Sequence, residues 1–404
     1  MAADPTFDEL EDPALAAFRG EVRLWLDENA PTPWQEWFNS AAGEEKEGFL
    51  AEYRSRLHAA GYLVPHWPKE FGGSGLSSAE QLILKHELRR ADYPPVGGGI
   101  AFHHVAATLI KHGTAKQQEA LERILEGEIW CQGFSEPNAG SDLASLRTRA
   151  VRDGDIYIVN GQKIWSSGAQ HARWCLLLVR TDPAAKKHKG ISALLVDMTL
   201  PGIEVRPIRQ ATGDSHFSEI FLTDVRVPVD LRVGSENEGW SIANTTLATE
   251  RGSMIIDNHA SLERMLRTVC EEAARTPVGG GLMAIDDRAV RHELAERAAD
   301  VDVLGALAEQ VVGLTLRHGE MGPEGSIIKL FFSEALQQLT ELAIRVRGVA
   351  SNLETGQDGL ERSTDWMIEH IASWMWTISA GSNEIQRNII AERVLGLPRE
   401  RSCN

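Results

Sequence analysis

The sequence predicts a multidomain α+β protein, built in the order helical domain, β domain, helical bundle. Three observations lead to this prediction. Helical periodicity fills both ends of the chain, the middle holds short runs rich in β-branched residues, and no long helical pattern separates those runs. The chain has 404 residues and 43% hydrophobic content, which suffices for two or three domains with substantial cores. We place the domains at 1–128, 129–235 and 236–404.

The N-terminal domain is predicted to be helical from Asp12 to Gly127. The segments PALAAFRGEVRLWLDENA and EEKEGFLAEYRSRLHAAGY place apolar residues at three- and four-residue intervals, which is the spacing of one helix face. A glycine-rich loop, WPKEFGGSG, separates them from AEQLILKHELRRADY, and a further helical stretch runs from His104 to Leu125.

The middle domain is predicted to be a compact β domain. Its runs are short, apolar and β-branched, and Gly, Asp and Pro bound them: DIYIVNGQKIW, WCLLLVRT, GISALLVDM, GIEVRPIR and SEIFLTDVRVP. Because no helical pattern interrupts these runs, a βαβ sheet is disfavoured.

The C-terminal domain is predicted to be a bundle of long amphipathic helices joined by short loops. Its helical patterns are GWSIANTTLATERGSMIIDNHASLERMLRTVCEEAAR, DDRAVRHELAERAADVDVLGALAEQVVGLTLRH, SIIKLFFSEALQQLTELAIRV and SNEIQRNIIAERVL. The FFSEALQQL stripe within the third is expected to be core.

Composition narrows the partners and the compartment. With 58 acidic against 41 basic residues, the net charge of −17 argues against nucleic acid or an anionic membrane surface as the main partner, although a local basic patch remains compatible with it. Four scattered cysteines without a CxxC pair indicate a reducing compartment and no bound metal. No signal peptide begins the sequence and no run reaches the ~18–20 apolar residues of a membrane span, so we expect a cytoplasmic protein without membrane insertion.

The common nucleotide and hydrolase signatures are absent: GxGxxG after a strand, GxxxxGK[ST], GxSxG and HExxH. The segment IWCQGFSEPNAGSDLASLRTRA, at 129–150, is the stronger candidate, because small and hydroxyl residues on an irregular loop let backbone N–H groups approach a planar or anionic ligand. An ordinary Asx-rich turn is the competing interpretation. GQKIWSSG follows with Trp165, whose indole suits a flat ring system, although a core Trp is the commoner case.

These segments resemble the acyl-CoA dehydrogenase family over nearly the whole chain. The matching motifs occur in order: WPKEFGGSG, FSEPNAGSD with LRTRA, GQKIWSS, FSEIFLTDVRVP, EGW followed by ATER, and ISAGSNEIQRNIIAERVLG. The resemblance implies an N-terminal helical domain, a central β-barrel-like domain and a C-terminal four-helix bundle. It also implies an FAD-dependent oxidoreductase acting on CH–CH bonds, with a place in fatty acid or steroid catabolism.

Site residues follow from the resemblance position by position. Ser141 and Arg251 are expected to contact the substrate. Nine positions are expected to contact FAD: Gln132, Phe134, Ser135, Gly140, Ser141, Trp165, Ser167, Ser382 and Glu384.

The resemblance places the catalytic base at Glu250. Most relatives carry a glutamate immediately before the glycine of the C-terminal motif, but this chain has Ala380 there, and a methyl group cannot abstract a proton. Another branch of the family keeps the base on the first helix of the bundle, before an arginine, and Glu250-Arg251 matches that pattern. A carboxylate there would take the α-proton while a hydride passes to FAD N5. A solvated surface pair is the competing interpretation for Glu250.

The resemblance weakens where relatives hold the adenosine end of FAD. One such motif is reduced to Arg275-Thr276-Pro277 before three glycines, and another is replaced by sequence around Arg345–Asn352. The chain is similar to bacterial dehydrogenases of bulky or steroid acyl-CoAs, some of which pair unlike subunits. Expected partners are therefore an acyl-CoA, electron-transfer flavoprotein as acceptor, and family members in a homo- or hetero-oligomer, dimer or tetramer. A partner subunit with an incomplete flavin site and an oxygen-using flavin oxidase remain as alternatives.

Overall fold

The structure, a computed structural model, describes residues 13–31, 34–96, 99–318, 322–352 and 365–399. Within these ranges the side chains of 36, 39, 247–257, 312, 315–318 and 352 are not described. The chain divides into two compact units, Met1–Trp130 and Cys131–Asn404.

The first unit is helical, as predicted. Its helices are α1 (Pro13–Asn29), α2 (Gln35–Ser40), α3 (Gly43–Ala59), α4 (Ser78–Arg90), α5 (Ala106–His112), α6 (Ala115–Gln118) and α7 (Ala120–Glu126). The stretch predicted as one helix up to Leu125 is divided, because Gly113 leaves the helical conformation and the Thr114 hydroxyl accepts a hydrogen bond from Gln117 N to begin α6. A π-helical turn at Ile100–Val105 precedes α5.

Local capping and a buried carboxylate position α4. The Ser77 hydroxyl accepts from Glu80 N at 3.3 Å while the Glu80 carboxylate accepts from Ser77 N at 2.7 Å, which forms a capping box. Glu87 of the same helix is completely buried, and its carboxylate accepts hydrogen bonds from Arg23 of α1 and from Arg90. The pair with Arg23 joins α1 to α4, and both arginines satisfy a charge that burial would otherwise make costly.

The second unit begins with one mixed sheet. Its strands are β1 (Trp130–Gly133), β2 (Arg149–Asp153), β3 (Ile156–Ser167), β4 (Trp174–Arg180), β5 (Ile191–Asp197), β6 (Ile203–Ile208), β7 (Phe217–Pro228) and β8 (Arg232–Val233). Each of the five predicted runs forms a strand. The order is β6-β7-β3-β2-β4-β5-β8, with β1 beside β4. Because β6 and β8 end this order unpaired with each other, the described strands form an open sheet rather than a closed barrel.

Long helices complete the second unit. They are α8 (Gly239–Arg275), α9 (Arg288–His318), α10 (Gly325–Arg347), α11 (Trp366–Trp376) and α12 (Asn383–Ile389). The central helix α10 packs against α8, α9 and α11, and buries Phe332, Leu336 and Leu339 of the predicted core stripe. The last predicted helix continues past α12 as a π-helical turn, Ile390–Val394.

A β-hairpin joins α8 to α9 at the first eroded adenosine motif. Helix α8 ends at Arg275, and strands β9 (Pro277–Gly279) and β10 (Leu282–Met283) pair across glycines with positive φ. Arg345, in the second eroded segment, donates to the Glu293 carboxylate of α9 at 2.8 Å. None of the helices in the described ranges combines the length and apolar character needed to cross a bilayer.

Candidate functional site

A β-bulge exposes Trp165 on strand β3. Between Lys163, which faces Ile220, and Ser166, which faces Ser218, β3 has one residue more than β7. Trp165 takes up the extra length with a φ of 62°, and 56% of its surface is exposed. An L-residue with a large side chain rarely adopts this left-handed conformation, so the bulge is a strained feature that turns the indole away from the core.

The segment that follows β1 lies against this bulge. Ile164 N donates to Ser135 O at 3.0 Å, so Ser135 lies beside Ile164, the residue that precedes Trp165 in the sequence. Ser135 and Ser167 are half-buried, as is Gln132 on β1. Phe134 is only 7% exposed, and its carbonyl accepts a hydrogen bond from Lys163 Nζ at 3.1 Å.

The loop 137–147 carries the predicted contacts Gly140 and Ser141, and both are exposed. A Cβ built on Gly140 would meet no atom within 4 Å, so the protein leaves open space there. At the end of the loop, by contrast, Gly161 of β3 lies close to Thr148. A Cβ built on Gly161 would lie 2.5 Å from the Thr148 hydroxyl oxygen. The loop is therefore fixed at its base and open at its tip.

The C-terminal turn places Ser382 and Glu384 together. Ala380 and Gly381 have φ values of 53° and 90°, and the Ser382 hydroxyl accepts a hydrogen bond from Ile385 N at 3.5 Å to begin α12. Glu384 is exposed; hydrogen bonds from its own backbone N–H and from the Ser382 hydroxyl lower its pKa. Both residues thus have local capping roles.

Hydrogen bonds from buried polar side chains stabilise this turn. Gln386 is 1% exposed, and its Nε2 donates to Ala380 O at 2.9 Å and to Gly381 O at 3.1 Å. Lys329 of α10 donates to Asn383 Oδ1 at 2.8 Å. Burial lowers the pKa of Lys329 to about 8, although Glu384 opposes the shift.

The predicted base and its neighbour lie on α8. The helix runs unbroken through Glu250 and Arg251, but both side chains lie outside the described residues. Their roles stay predictions.

A basic cavity of about 300 Å³ lies next to the end of the loop. Arg147 lines it from the loop, Arg149 from the start of β2, and Lys187 from the connection between β4 and β5. The Arg180 guanidinium joins the two sides, because it donates to backbone carbonyls that include Ala144 O at 2.6 Å and Lys187 O at 3.1 Å. This is a local concentration of positive charge in a chain of net charge −17.

Comparison with known proteins identifies the family. Three family models match the chain in order: the acyl-CoA dehydrogenase N-terminal domain at residues 12–128, the middle domain at 131–225 and the C-terminal domain at 237–395. The chain belongs to the acyl-CoA dehydrogenase family. Members of this family are FAD-dependent oxidoreductases, and the three-domain fold with helical, β and helical parts is confirmed.

Individual relatives of this acyl-CoA dehydrogenase come largely from mycobacteria. Acyl-CoA dehydrogenase IpdE1 of Mycolicibacterium smegmatis is 38% identical over 95% of this chain and 98% of its own length. The ChsE4–ChsE5 complex of Mycobacterium tuberculosis has a chain with a TM-score of 0.78, 34% identity and coverage of 96% and 98%. A structure described as "Tcur3481-Tcur3483 steroid ACAD" has a TM-score of 0.78, 31% identity and coverage of 96% and 99%.

The β-domain face of this acyl-CoA dehydrogenase suits a flavin chemically. An exposed indole and the half-buried hydroxyls of Ser135 and Ser167 match a flat ring system with an apolar face and a polar edge. The predicted flavin contacts form two sets of residues, one around Trp165 and one at Ser382. Separate hydrogen bonds hold each set in place.

Sequence reasoning missed the residues that support these groups: Glu136, Lys163, Lys329, Asn383 and Gln386. The signal for one of them was present, because a lysine within a strand run of apolar residues either breaks the pattern or has a buried partner. Nothing in the local sequence names that partner, since Glu136 lies 27 residues away.

Proposed function

We propose that this chain catalyses the FAD-dependent α,β-desaturation of an acyl-CoA thioester, with Glu250 as the base. The observation that carries the proposal is the strained bulge that exposes Trp165 beside Ser135 in a member of this family. Bound FAD would supply the hydride acceptor. Trp165, Ser135, Ser167 and the exposed loop would hold and orient its ring system, and Ser382 with Glu384 would contact it from the C-terminal turn.

The assignment of the base to Glu250 rests on a substitution in that turn. Ala380 stands where most relatives carry the carboxylate, so proton removal has to come from another element. Glu250 offers a carboxylate, and Arg251, the next residue in the sequence, would balance its charge and help to position the thioester.

The basic cavity supports a coenzyme A substrate. CoA carries phosphate groups, and the exposed Arg147 and Arg149 offer charge-assisted hydrogen bonds to them, while Lys187 beside them is ion-paired with Asp142. The same segment carries Ser141, which we propose to contact the pantetheine–thioester part of the molecule.

The acyl group is proposed to be bulky and alicyclic. The support is similarity to the structure described as a steroid ACAD. Electron-transfer flavoprotein is the proposed acceptor in the cytoplasm.

A hetero-oligomer with a related subunit is the proposed working assembly. Two similar structures bear the names of two different proteins each, ChsE4–ChsE5 and Tcur3481–Tcur3483. The hairpin that replaces the adenosine motif exposes Val278 and Leu282, at 57% and 55%. Such apolar exposure is typical of a protein–protein contact.

The test compares wild type with Glu250→Gln on a panel of linear and polycyclic acyl-CoAs, using a dye as electron acceptor. We expect the variant to retain FAD and ligand binding and to lose at least about a hundredfold in rate, the usual scale for a general base. Glu263→Gln is the matched control, because Glu263 lies on the same helix in an exposed pair with Arg267. Near-wild-type turnover by Glu250→Gln would remove Glu250 from this role.

The same preparation separates the alternatives. A chain that binds no flavin alone, yet completes an active enzyme with a related subunit, would be a partner subunit. Peroxide formation without an added acceptor would identify an oxidase.

A further inference from the structure

A buried ion pair lies beneath the flavin-facing surface of the β domain. Lys163 of β3 is 0% exposed and Glu136 is 9% exposed, and Lys163 Nζ donates to Glu136 Oε1 at 2.9 Å. Hydrogen bonds and the Lys163 ammonium lower the pKa of Glu136 although burial acts in the opposite direction. The carboxylate is therefore ionised at neutral pH.

Three chain segments meet at this pair. The Glu136 carboxylate accepts from Arg147 N at 2.7 Å and from Thr148 N at 2.8 Å, so it closes the loop 137–147 at its base. Lys163 Nζ also donates to Phe134 O at 3.1 Å. The pair consequently ties the segment before the loop, the segment after it and strand β3 to one another.

The pair lies next to the residues that face the proposed flavin. Lys163 is the last residue of β3 before the bulge, and Trp165 follows two positions later. Phe134, whose carbonyl Lys163 holds, precedes Ser135, whose carbonyl receives Ile164 N. A shift of the pair would therefore move the Phe134–Ser135 backbone relative to the indole.

Stability alone does not account for a buried pair of this kind. Removing two charges from water costs about as much free energy as their attraction returns, and apolar side chains of the same volume often stabilise a core equally well. What charges provide in addition is direction, since each donor and acceptor has to lie at a defined position.

We propose that Glu136 and Lys163 are positioning residues that align the Phe134–Ser135 backbone and the loop 137–147 for flavin binding. The inference rests on the proposed function, because it requires a flavin on this face. Neither residue is proposed to touch a reacting atom.

The test uses Glu136→Gln, Lys163→Met and the double variant in the full-length protein. Each single variant leaves one buried group without its charged partner, so its thermal midpoint should fall. The double variant removes both charges and should recover most of that midpoint. Glu204→Gln is the control, because Glu204 forms an exposed pair with Arg206 on β6.

The readouts are FAD affinity, measured by fluorescence titration of the apoprotein, and the visible circular dichroism of the bound flavin. We expect all three variants to bind FAD at least about tenfold more weakly, with altered dichroism, as removal of a charged hydrogen-bond partner does. The double variant decides the matter even if the single variants fail to fold. If it recovers stability but not FAD affinity, the pair positions the site.

A double variant with wild-type FAD affinity and dichroism would overturn the positioning role. Failure of the proposed function has a different signature: wild type would bind FAD but reduce no dye with any acyl-CoA. Wild type that binds no FAD, either alone or together with a related subunit, would contradict both proposals.

Discussion

At the scale of single residues, backbone strain marks the candidate site. Among the described residues, five other than glycine have a positive φ: Asp92, Trp165, Asp224, Asn237 and Ala380. Asp and Asn tolerate this conformation, because their short polar side chains form local hydrogen bonds. The two that remain belong to the two groups of predicted flavin contacts. Strain that persists at such positions is commonly linked to function.

Trp165→Gly should weaken flavin binding without a large loss of stability. Glycine relieves the left-handed strain, so the free energy of unfolding should stay within about 1 kcal/mol of wild type or rise. Loss of the exposed indole should weaken FAD binding about tenfold, the scale of one aromatic contact. Chemical denaturation and fluorescence titration measure the two quantities.

The control for that variant is Asp92→Gly, at an exposed position in the first unit with a φ of 50°. Because Asp tolerates this conformation, the control should change stability little and should leave FAD affinity unchanged. Unchanged FAD affinity in Trp165→Gly would show that the indole does not contact the flavin.

At the scale of elements, a buried ion pair joins helices α1 and α4. Glu87 of α4 is 0% exposed and receives Arg23 of α1 on both carboxylate oxygens, at 2.9 Å each. Burial raises the pKa of Glu87, but hydrogen bonds from Arg23 and Arg90 outweigh this effect and lower it below its ordinary 4.5. The ion pair between Arg23 and Glu87 fixes the position of α1 along α4. An apolar contact alone is less directional and would not fix this position.

Glu87→Gln should lower the free energy of unfolding at pH 7 by about 2 kcal/mol, because the guanidinium of Arg23 loses its charged partner. The folded pKa of Glu87 lies below the unfolded one, so its stabilisation is complete above pH 4.5 and disappears as pH falls through the folded value. The difference between wild type and variant should therefore shrink below pH 4.5.

Denaturation curves at several pH values, with Glu122→Gln as an exposed helix control, measure this effect. A difference that stays constant from pH 7 to pH 3 would contradict the ionised, arginine-paired state of Glu87.

At the scale of the whole molecule, the second unit combines the sheet that carries the proposed flavin contacts with exposed apolar surface elsewhere. Trp374 and Ile378, at the end of α11 and just beyond it, are 57% and 69% exposed, and Val278 and Leu282 of the hairpin are similarly open. Exposed apolar side chains of this size are costly in water and are usually covered by a partner. The proposed hetero-oligomer would cover them.

Val278→Glu with Leu282→Glu should prevent assembly with a related subunit while leaving the fold unchanged. Charged side chains at an apolar contact would have to be desolvated without a partner. Size-exclusion chromatography with light scattering and FAD occupancy of the co-expressed pair are the measurements. Val151→Glu, at an exposed apolar position on β2 outside the hairpin, is the control. Assembly of the hairpin variant at wild-type strength would exclude the hairpin from the interface.

Much of the fold could be read from local pattern. Helix α8 spans the predicted segment from Gly239 to Arg275, and β7 spans Phe217–Pro228 as its alternation indicates. Periodicity reports burial along one element, so it predicts which residues face a core. The loop and the turn that carry the candidate flavin contacts came from the family resemblance of their motifs, and periodicity did not locate them.

Other features depend on residues that are distant in sequence. The bulge at Trp165 exists because β3 pairs with β7, which lies about 50 residues later in the sequence. Glu136 forms a buried ion pair because the fold brings Lys163 within hydrogen-bonding distance of it. No local pattern encodes the length mismatch between two strands or the partner of a buried charge. Chain periodicity selects the elements, whereas strain and buried electrostatics arise only when the packed elements force particular atoms together.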